Sequence, residues 1–382
     1  MVWSTKHLEV GRIGRVVVVG GGYGGIAAAS LLDPIADVVL VEPREEFVHN
    51  VAALRGLVDQ AWAPRLFLPY DRLLNRGKVI RDHVAAVMEG AAEDDGGPVT
   101  VRLRHGAELR AEFVVLATGS RYPFPAKFDE LDSVDALGRL DRVRSELDAA
   151  TEVLLLGAGP VGVELAGEIT SAWPDKHVTI LDPHPNLLGG AYTTELRGEL
   201  HRQLTARGVE LRLGESLVRE PVSPPARRET FSVPTSLGRT VGGDMWFRCH
   251  GAVPVSDYLS GALGAARTDR GHVRVGSGLQ VPRHPRVFAI GDLAAVAEPK
   301  TAKAAGQHAE IVAERIRAVL DGRDETAVYS PGPPAIVVPL GPDAGASYSP
   351  QTGLLGAEAT TSLKSSHMKI GEYRDMLGVG EL

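Results

Sequence analysis

The chain has 382 residues, room for two or three domains. Hydrophobic residues make up 44% and charged residues 23%, the balance of a folded globular protein and not of a disordered one. With 41 basic and 48 acidic side chains the net charge is −7, which argues against a nucleic-acid partner; a single cysteine, Cys249, excludes an internal disulfide, a redox dithiol and a Cys-rich metal site.

Lys6, Arg12 and Arg15 ahead of the apolar run 16–32 imitate a secretory signal. Five glycines between Gly20 and Gly25 would break its helix, so a strand, a turn and a helix are predicted there instead. No other window approaches the ~18 uninterrupted apolar residues of a membrane span. Val2 in second place carries no myristoylation signal.

Arg15 to Val19 is a β-branched run typical of a strand buried on both faces. A glycine turn follows, then a helix through Ile26-Ala27-Ala28-Ala29, then a strand from Asp37 that ends in the acid Glu42. Val84 to Met88 and Val99 to Leu103 read as strands of a meander joined by a polar turn at 91–98. Phe113 to Ala117 is a buried strand leading into Thr118-Gly119. The first pattern then returns: a strand Glu152 to Leu156, a glycine turn, a helix Val163 to Ser171, and a strand His177 to Asp182 ending in an acid. Two βαβ units of one design, 137 residues apart, form an internal repeat of whole domains. Glu220 to Arg228 reads as a loop, Arg286 to Ile290 as a strand running into Gly291-Asp292, and Lys300 to Leu320 as a long helix. A Pro-rich linker at 330–334 leads to a small α+β region.

The turns carry the chemistry. Gly20-x-Gly22-x-x-Gly25, with Gly21, Tyr23 and Gly24 between, is followed by Glu42 at 22 residues from Gly20. Gly157-x-Gly159-x-x-Gly162, with Pro160 and Val161 inside it, is followed by Asp182 at 25 residues from Gly157. In such a fingerprint the first glycine permits the tight turn, the second lets a pyrophosphate reach the backbone, and the third lets helix pack on strand. The phosphates rest on the helix N-terminus and the acid takes the ribose hydroxyls. Two sites in one chain suit one flavin dinucleotide, FAD, and one nicotinamide dinucleotide. Asp182 repels a 2′-phosphate and favours NADH; His184 softens that repulsion and leaves NADPH open.

These residues resemble the two-dinucleotide flavoprotein oxidoreductases of the glutathione-reductase fold. Ala117-Thr118-Gly119 and Ala289-Ile290-Gly291-Asp292 match that family's further FAD motifs. The implied fold is α/β: two Rossmann-like domains, with an NAD(P)H domain (131–265) inserted in a discontinuous FAD domain (1–130 and 266–328), and a C-terminal α+β region (329–382). Within it, the runs His49 to Arg55, Pro123 to Phe128, Gly162 to Ala166 and Pro299 to Ala302 resemble the apoptosis-inducing-factor-like and ferroptosis-suppressor branch, which includes NAD(P)H-dependent quinone reducers. That resemblance implies that Arg55 contacts FAD, that Val84 meets the adenine through its backbone, that Asp292 bonds the flavin ribitol, and that Lys127 and Glu164 form the catalytic ion pair beside the flavin ring. Read from the residues alone, Glu164 is equally a helix N-terminal acid and Lys127 a solvated loop residue.

The helix after Gly291-Asp292 is expected to aim its N-terminus, near Lys300, at the flavin. Lys303, Gln307 and His308 are then either acceptor-site residues or its polar face. The chain departs from the disulfide members: Cys249 is alone, a small core residue, and His250 stands where relatives usually carry Thr. No metal-binding spacing of histidines and no nucleophile elbow is found. The expected activity is electron transfer from NAD(P)H through FAD to a quinone-like small molecule in a cytoplasmic enzyme. Rival outputs are reduction of a ferredoxin- or rubredoxin-type protein, or NADH-responsive partner binding through a homodimer. Thr360 to Leu377 is weakly apolar, either a peripheral membrane docking surface or a cap.

Overall fold

The computed structural model describes residues 14–89 and 97–380. Lys6, Arg12, Val2 and most of the expected turn at 91–98 lie outside the described residues. The first sheet has the order Gln280–Val281, His284–Ala289, Phe113–Leu116, Arg15–Val19, Asp37–Val41, Lys78–Ile80. All neighbours are parallel except the antiparallel pair formed by Gln280–Val281 and His284–Ala289. Its strands therefore come from both sides of the second repeat in sequence.

Side chains of a strand alternate between faces, and both faces are covered here. Val16 and Val18 pack with Ile26, Val312 and Ile316 of the helices Tyr23–Leu32 and Ala302–Leu320. Val17 and Val19 pack instead with Val87, Val99 and Val101 of the meander Val84–Glu89, Val99–Leu103, Glu108–Ala111. That two-sided burial is why the strand reads as four consecutive valines, each 2% exposed or less.

The second sheet repeats the plan with four parallel strands, Glu210–Leu213, His177–Asp182, Glu152–Leu156 and Met245–Arg248. The hairpin Phe231–Pro234/Thr240–Gly243 covers Leu154, Leu156 and Trp246 on one face. Helices Ser133–Ala149, Pro160–Ala172 and Thr194–Ala206 cover the other. The C-terminal region is an antiparallel meander, Ile336–Pro339, Gly345–Ser349 and Gly353–Leu355, followed by short helical turns. It touches both units. A Cβ at Gly167 would strike the Leu340 backbone, and the Gln203 amide bonds both N (2.9 Å) and O (2.8 Å) of Gly345. At its far end Leu377 is fully buried against the first unit.

A Cβ at Gly25 would collide with the Gly20 carbonyl, and one at Gly162 with the Gly157 carbonyl, whereas Gly22 has open space. Gly25→Ala is expected to destabilise the protein by about 1–3 kcal/mol through overpacking. Gly22→Ala is expected to leave stability within about 0.5 kcal/mol. Urea denaturation midpoints at constant m-value measure both.

Candidate active site

The two glycine cradles share one hydrogen-bond plan. Gly20 (φ +101°) and Gly157 (φ +116°) take the left-handed region that favours glycine. Their amides donate to Val41 O (2.8 Å) and Leu181 O (2.9 Å). Glu42 accepts from the Gly21 amide at 2.6 Å and from the Arg44 amide at 3.0 Å. Asp182 accepts from the Ala158 amide and the His184 amide, both at 2.7 Å. In each unit the acid braces the glycine turn and closes its own loop two residues on.

Helices Tyr23–Leu32 and Pro160–Ala172 start at Gly22 and Gly159, in extended conformation and without a side-chain cap. Nothing lies within 4 Å of a Cβ built on either glycine. Uncapped helix N-termini in open space are what a pyrophosphate requires, so both cradles fit a dinucleotide. Pro160 starts the second helix, where its missing N–H costs nothing. Gly24 brings the first helix against Ile290 and Ala305. Tyr70 donates its hydroxyl to Gly21 O at 2.9 Å and so holds the first cradle from behind; no sequence motif marks it. Val84 opens the first meander strand, half-buried, at a bulge opposite Leu103.

The strands that pair in parallel beside the two cradle strands, Phe113–Leu116 and Met245–Arg248, run into matching segments, Ala117-Thr118-Gly119 and Cys249-His250-Gly251. Their glycines lie at φ +62° and +96°. A short antiparallel ribbon, Ser120–Arg121 with Val253–Pro254, joins the two. It is reinforced by Val255 N to Gly119 O (3.0 Å), Thr118 Oγ1 to Val255 O (2.5 Å) and Tyr122 Oη to Cys249 O (2.6 Å). Cys249 is 2% exposed and burial pushes its thiol up to about 12, so it is an inert core residue. His250 is exposed.

The Lys127–Glu164 pair expected from the resemblance is not formed. Lys127 Nζ donates to Ser120 O (2.8 Å), Ser120 Oγ (2.8 Å) and Asp292 Oδ2 (3.1 Å). The Ser120 hydroxyl also donates to Asp292, at 2.6 Å. Burial works to raise the Asp292 pKa, but the Lys127 charge and the Ser120 bond outweigh it and hold the carboxyl below its usual range. Glu164 pairs instead with Lys364 of the C-terminal region at 3.1 Å. Burial raises its pKa against the pull of Lys364. One turn further, Glu168 accepts from Arg55 Nε at 2.6 Å, with side chains 2% and 4% exposed. Arg55 Nη2 also donates to Ser365 O at 3.2 Å. The guanidinium that the resemblance assigns to FAD is thus committed to a buried carboxylate. Glu164 is taken by Lys364 of the C-terminal region, and Lys127 by Ser120 and Asp292.

Helix Ala302–Leu320 is capped by Thr301, whose hydroxyl accepts from the Ala304 amide at 3.1 Å. Lys300 Nζ donates to Ala294 O and Val296 O, both at 2.8 Å. Lys303 and Gln307 are exposed, but His308 is 1% exposed on the inward face and lines no open site. That alternative is corrected: the helix turns His308 toward Gly291. Of the stretch Thr360 to Leu377, the last turns pack on the first unit through Ile370, Tyr373, Met376 and Leu377, while Thr360 and Lys364 meet the meander and the second cradle helix. Tyr373 packs on Tyr23 (4.9 Å), His49 (5.0 Å) and Phe47 (5.8 Å between centroids). The Tyr23 hydroxyl accepts from the Val51 amide (2.9 Å) and lies 3.2 Å from His49 Nδ1, while His49 Nε2 donates to Met368 O (2.8 Å). Burial lowers the His49 pKa to about 4.

Two nucleotide cradles of one design, braced by acids and tied by a ribbon, define a two-dinucleotide oxidoreductase of Rossmann type. Residues 14–309 match the model of the pyridine nucleotide-disulphide oxidoreductase family, and the chain belongs to that family. It is an FAD- and NAD(P)H-dependent oxidoreductase. The ferroptosis suppressor protein 1 of Homo sapiens is 33% identical over 346 residues, spanning 88% of this chain and 89% of that one. Apoptosis-inducing factor homolog B of Dictyostelium discoideum is 28% identical over 382 residues, spanning 95% and 96%. Among solved structures, the sulfide:quinone oxidoreductase of Aquifex aeolicus superposes with a TM-score of 0.74 at 19% identity, over 96% of this chain and 92% of that one. Among the described residues no helix is long and apolar enough to cross a membrane.

Arg55→Met is expected to cost about 3–5 kcal/mol of stability by stranding Glu168, and adding Glu168→Leu to recover most of it. Denaturation of the singles and the double mutant closes this cycle. If Arg55 acted only on the cofactor, the single variant would lose flavin without losing stability. His49 stabilises the fold while neutral, so its contribution is full above pH 6.5 and falls by about 3 kcal/mol toward pH 4. The stability gap between wild type and His49→Gln is therefore expected to narrow by that amount between pH 7 and pH 4.

Proposed function

We propose that this chain passes electrons from NADH, through FAD, to a quinone-like small molecule. The observation that carries the reading is the pair of ribbon-linked cradles in a chain whose single cysteine is buried and inert. Electrons that enter here have no thiol relay and leave to an external acceptor. In this reading Gly20 to Gly25, Glu42, Val84, Ala117 to Gly119 and Gly291-Asp292 hold FAD, within a unit at 1–130 and 266–328. Gly157 to Gly162 and Asp182 hold NADH within 131–265. FAD, when bound, supplies hydride acceptance and release of electrons to the acceptor.

The residues of this chain supply charge and position. Lys127 and Asp292, paired at 3.1 Å beside the ribbon, present a fixed cation next to the Gly291-Asp292 turn. Such a cation favours anionic reduced flavin. Glu164, one turn into the second cradle helix, is held by Lys364, and in this reading it orients the nicotinamide. The acidic net charge of −7 disfavours an acidic electron-transfer protein as acceptor, and the likeness to the ferroptosis-suppressor branch favours a quinone.

Anaerobic mixing with NADH is expected to bleach the bound flavin, and short-chain quinones to restore its colour faster than an iron–sulfur protein does. No bleaching, or faster turnover with the iron–sulfur protein, overturns the proposal. Asp182→Ser removes the carboxylate that repels a 2′-phosphate. It is expected to raise the NADPH-to-NADH ratio of kcat/KM by roughly tenfold, about 1.4 kcal/mol.

A further inference from the structure

His308 sits at the centre of a buried chain of hydrogen bonds that the proposed reaction does not use. Its Nδ1 accepts from the Gly291 amide at 3.0 Å. Its Nε2 donates to Glu298 Oε1 at 2.8 Å, and Glu298 Oε2 accepts from the Tyr329 hydroxyl at 2.6 Å. The Tyr329 ring packs edge-on against the imidazole at 4.3 Å. The His308 and Glu298 side chains are 1% and 5% exposed.

An imidazole nitrogen accepts a backbone N–H only while it carries no proton. The geometry therefore selects one state: neutral, with the proton on Nε2 and aimed at Glu298. Protonation at Nδ1 would set N–H against N–H. Burial lowers the His308 pKa, so the neutral state holds at neutral pH. The charged groups that face it are Glu298 and Lys300 on the preceding loop, with Tyr329 on the strap that follows the helix.

Gly291 is the residue before Asp292 and lies at φ +64°, where its amide leaves the strand. The imidazole takes that amide and thereby sets the direction in which Asp292 leaves the turn. We propose that His308, held by Glu298 and Tyr329, is a positioning residue that fixes the Gly291-Asp292 turn for flavin binding. It acts through Gly291 and touches no ligand itself. The inference rests on the first cradle as the flavin site and is independent of the acceptor.

The test follows FAD release from the holoenzyme by recovery of free-flavin fluorescence, from pH 7.5 to pH 5. Asn at this position offers an oxygen near the place of Nδ1 but has no proton to lose. His308→Leu is expected to release FAD at least tenfold faster at pH 7.5, and His308→Asn to stay within threefold of wild type. Wild type is expected to release FAD faster as pH falls below 6.5, a step absent from His308→Asn. Wild-type release from His308→Leu, or the same pH step in His308→Asn, overturns the proposal. So does equal loss of FAD in both variants, which would mark His308 as packing alone. Where His308→Leu does not fold, the pH profile of His308→Asn against wild type decides. A wild-type preparation without flavin would instead sink the assignment of the first cradle.

Discussion

Helix Pro160–Ala172 carries two carboxylates on one face, the partly buried Glu164 and the buried Glu168, and each takes its cation from a different part of the chain. Arg55 comes from the first unit and Lys364 from the C-terminal region. Burying Arg55 and Glu168 is tolerable only because they are paired, and removing one leaves the other stranded in low dielectric. The first unit, the second cradle helix and the C-terminal region are therefore held in one mutual arrangement. Because that helix begins at Gly159, the same constraint aims the second cradle.

The ribbon Ser120–Arg121/Val253–Pro254 does at the other side what the ion pairs do at the helix. It ties the strand ends that lie over Gly20 and Gly157, so the cradles are joined through backbone and not through mobile side chains. Lys127, Ser120 and Asp292 close a further loop between the ribbon and the late strand of the first sheet. The residue before Asp292, Gly291, donates its amide to His308. The acids and cations around the candidate site are thus mostly engaged with one another, a preorganisation that suits charge stabilisation at a bound redox ring.

Much of this was legible in order along the chain. Glu152–Leu156 and His177–Asp182 fall where the apolar runs place them, because strands covered on both faces must be apolar throughout. Glu42 and Asp182 were found by their distance from the glycines, since the length of a βαβ unit fixes where the second strand ends. Tyr70, Lys364, Glu168 and Glu298 were not found. Tyr70, Lys364 and Glu168 act across long sequence separations, and a lone Tyr, Lys or Glu has no spacing that betrays its partner. Arg55 and Lys127 were noticed, yet their partners, Glu168 and Asp292, were not those expected.

The sequence by itself determined the two cradles, their bracing acids, the apolar sheets behind them and the lack of a thiol relay. All of these follow from local chain geometry, from side-chain period or from simple count. Only the tertiary structure decided which cation meets which carboxylate, that His308 turns inward to hold a backbone amide, and that the C-terminal region caps both units. Ion pairing depends on which surfaces come together when apolar faces bury, and that is a property of the packed whole.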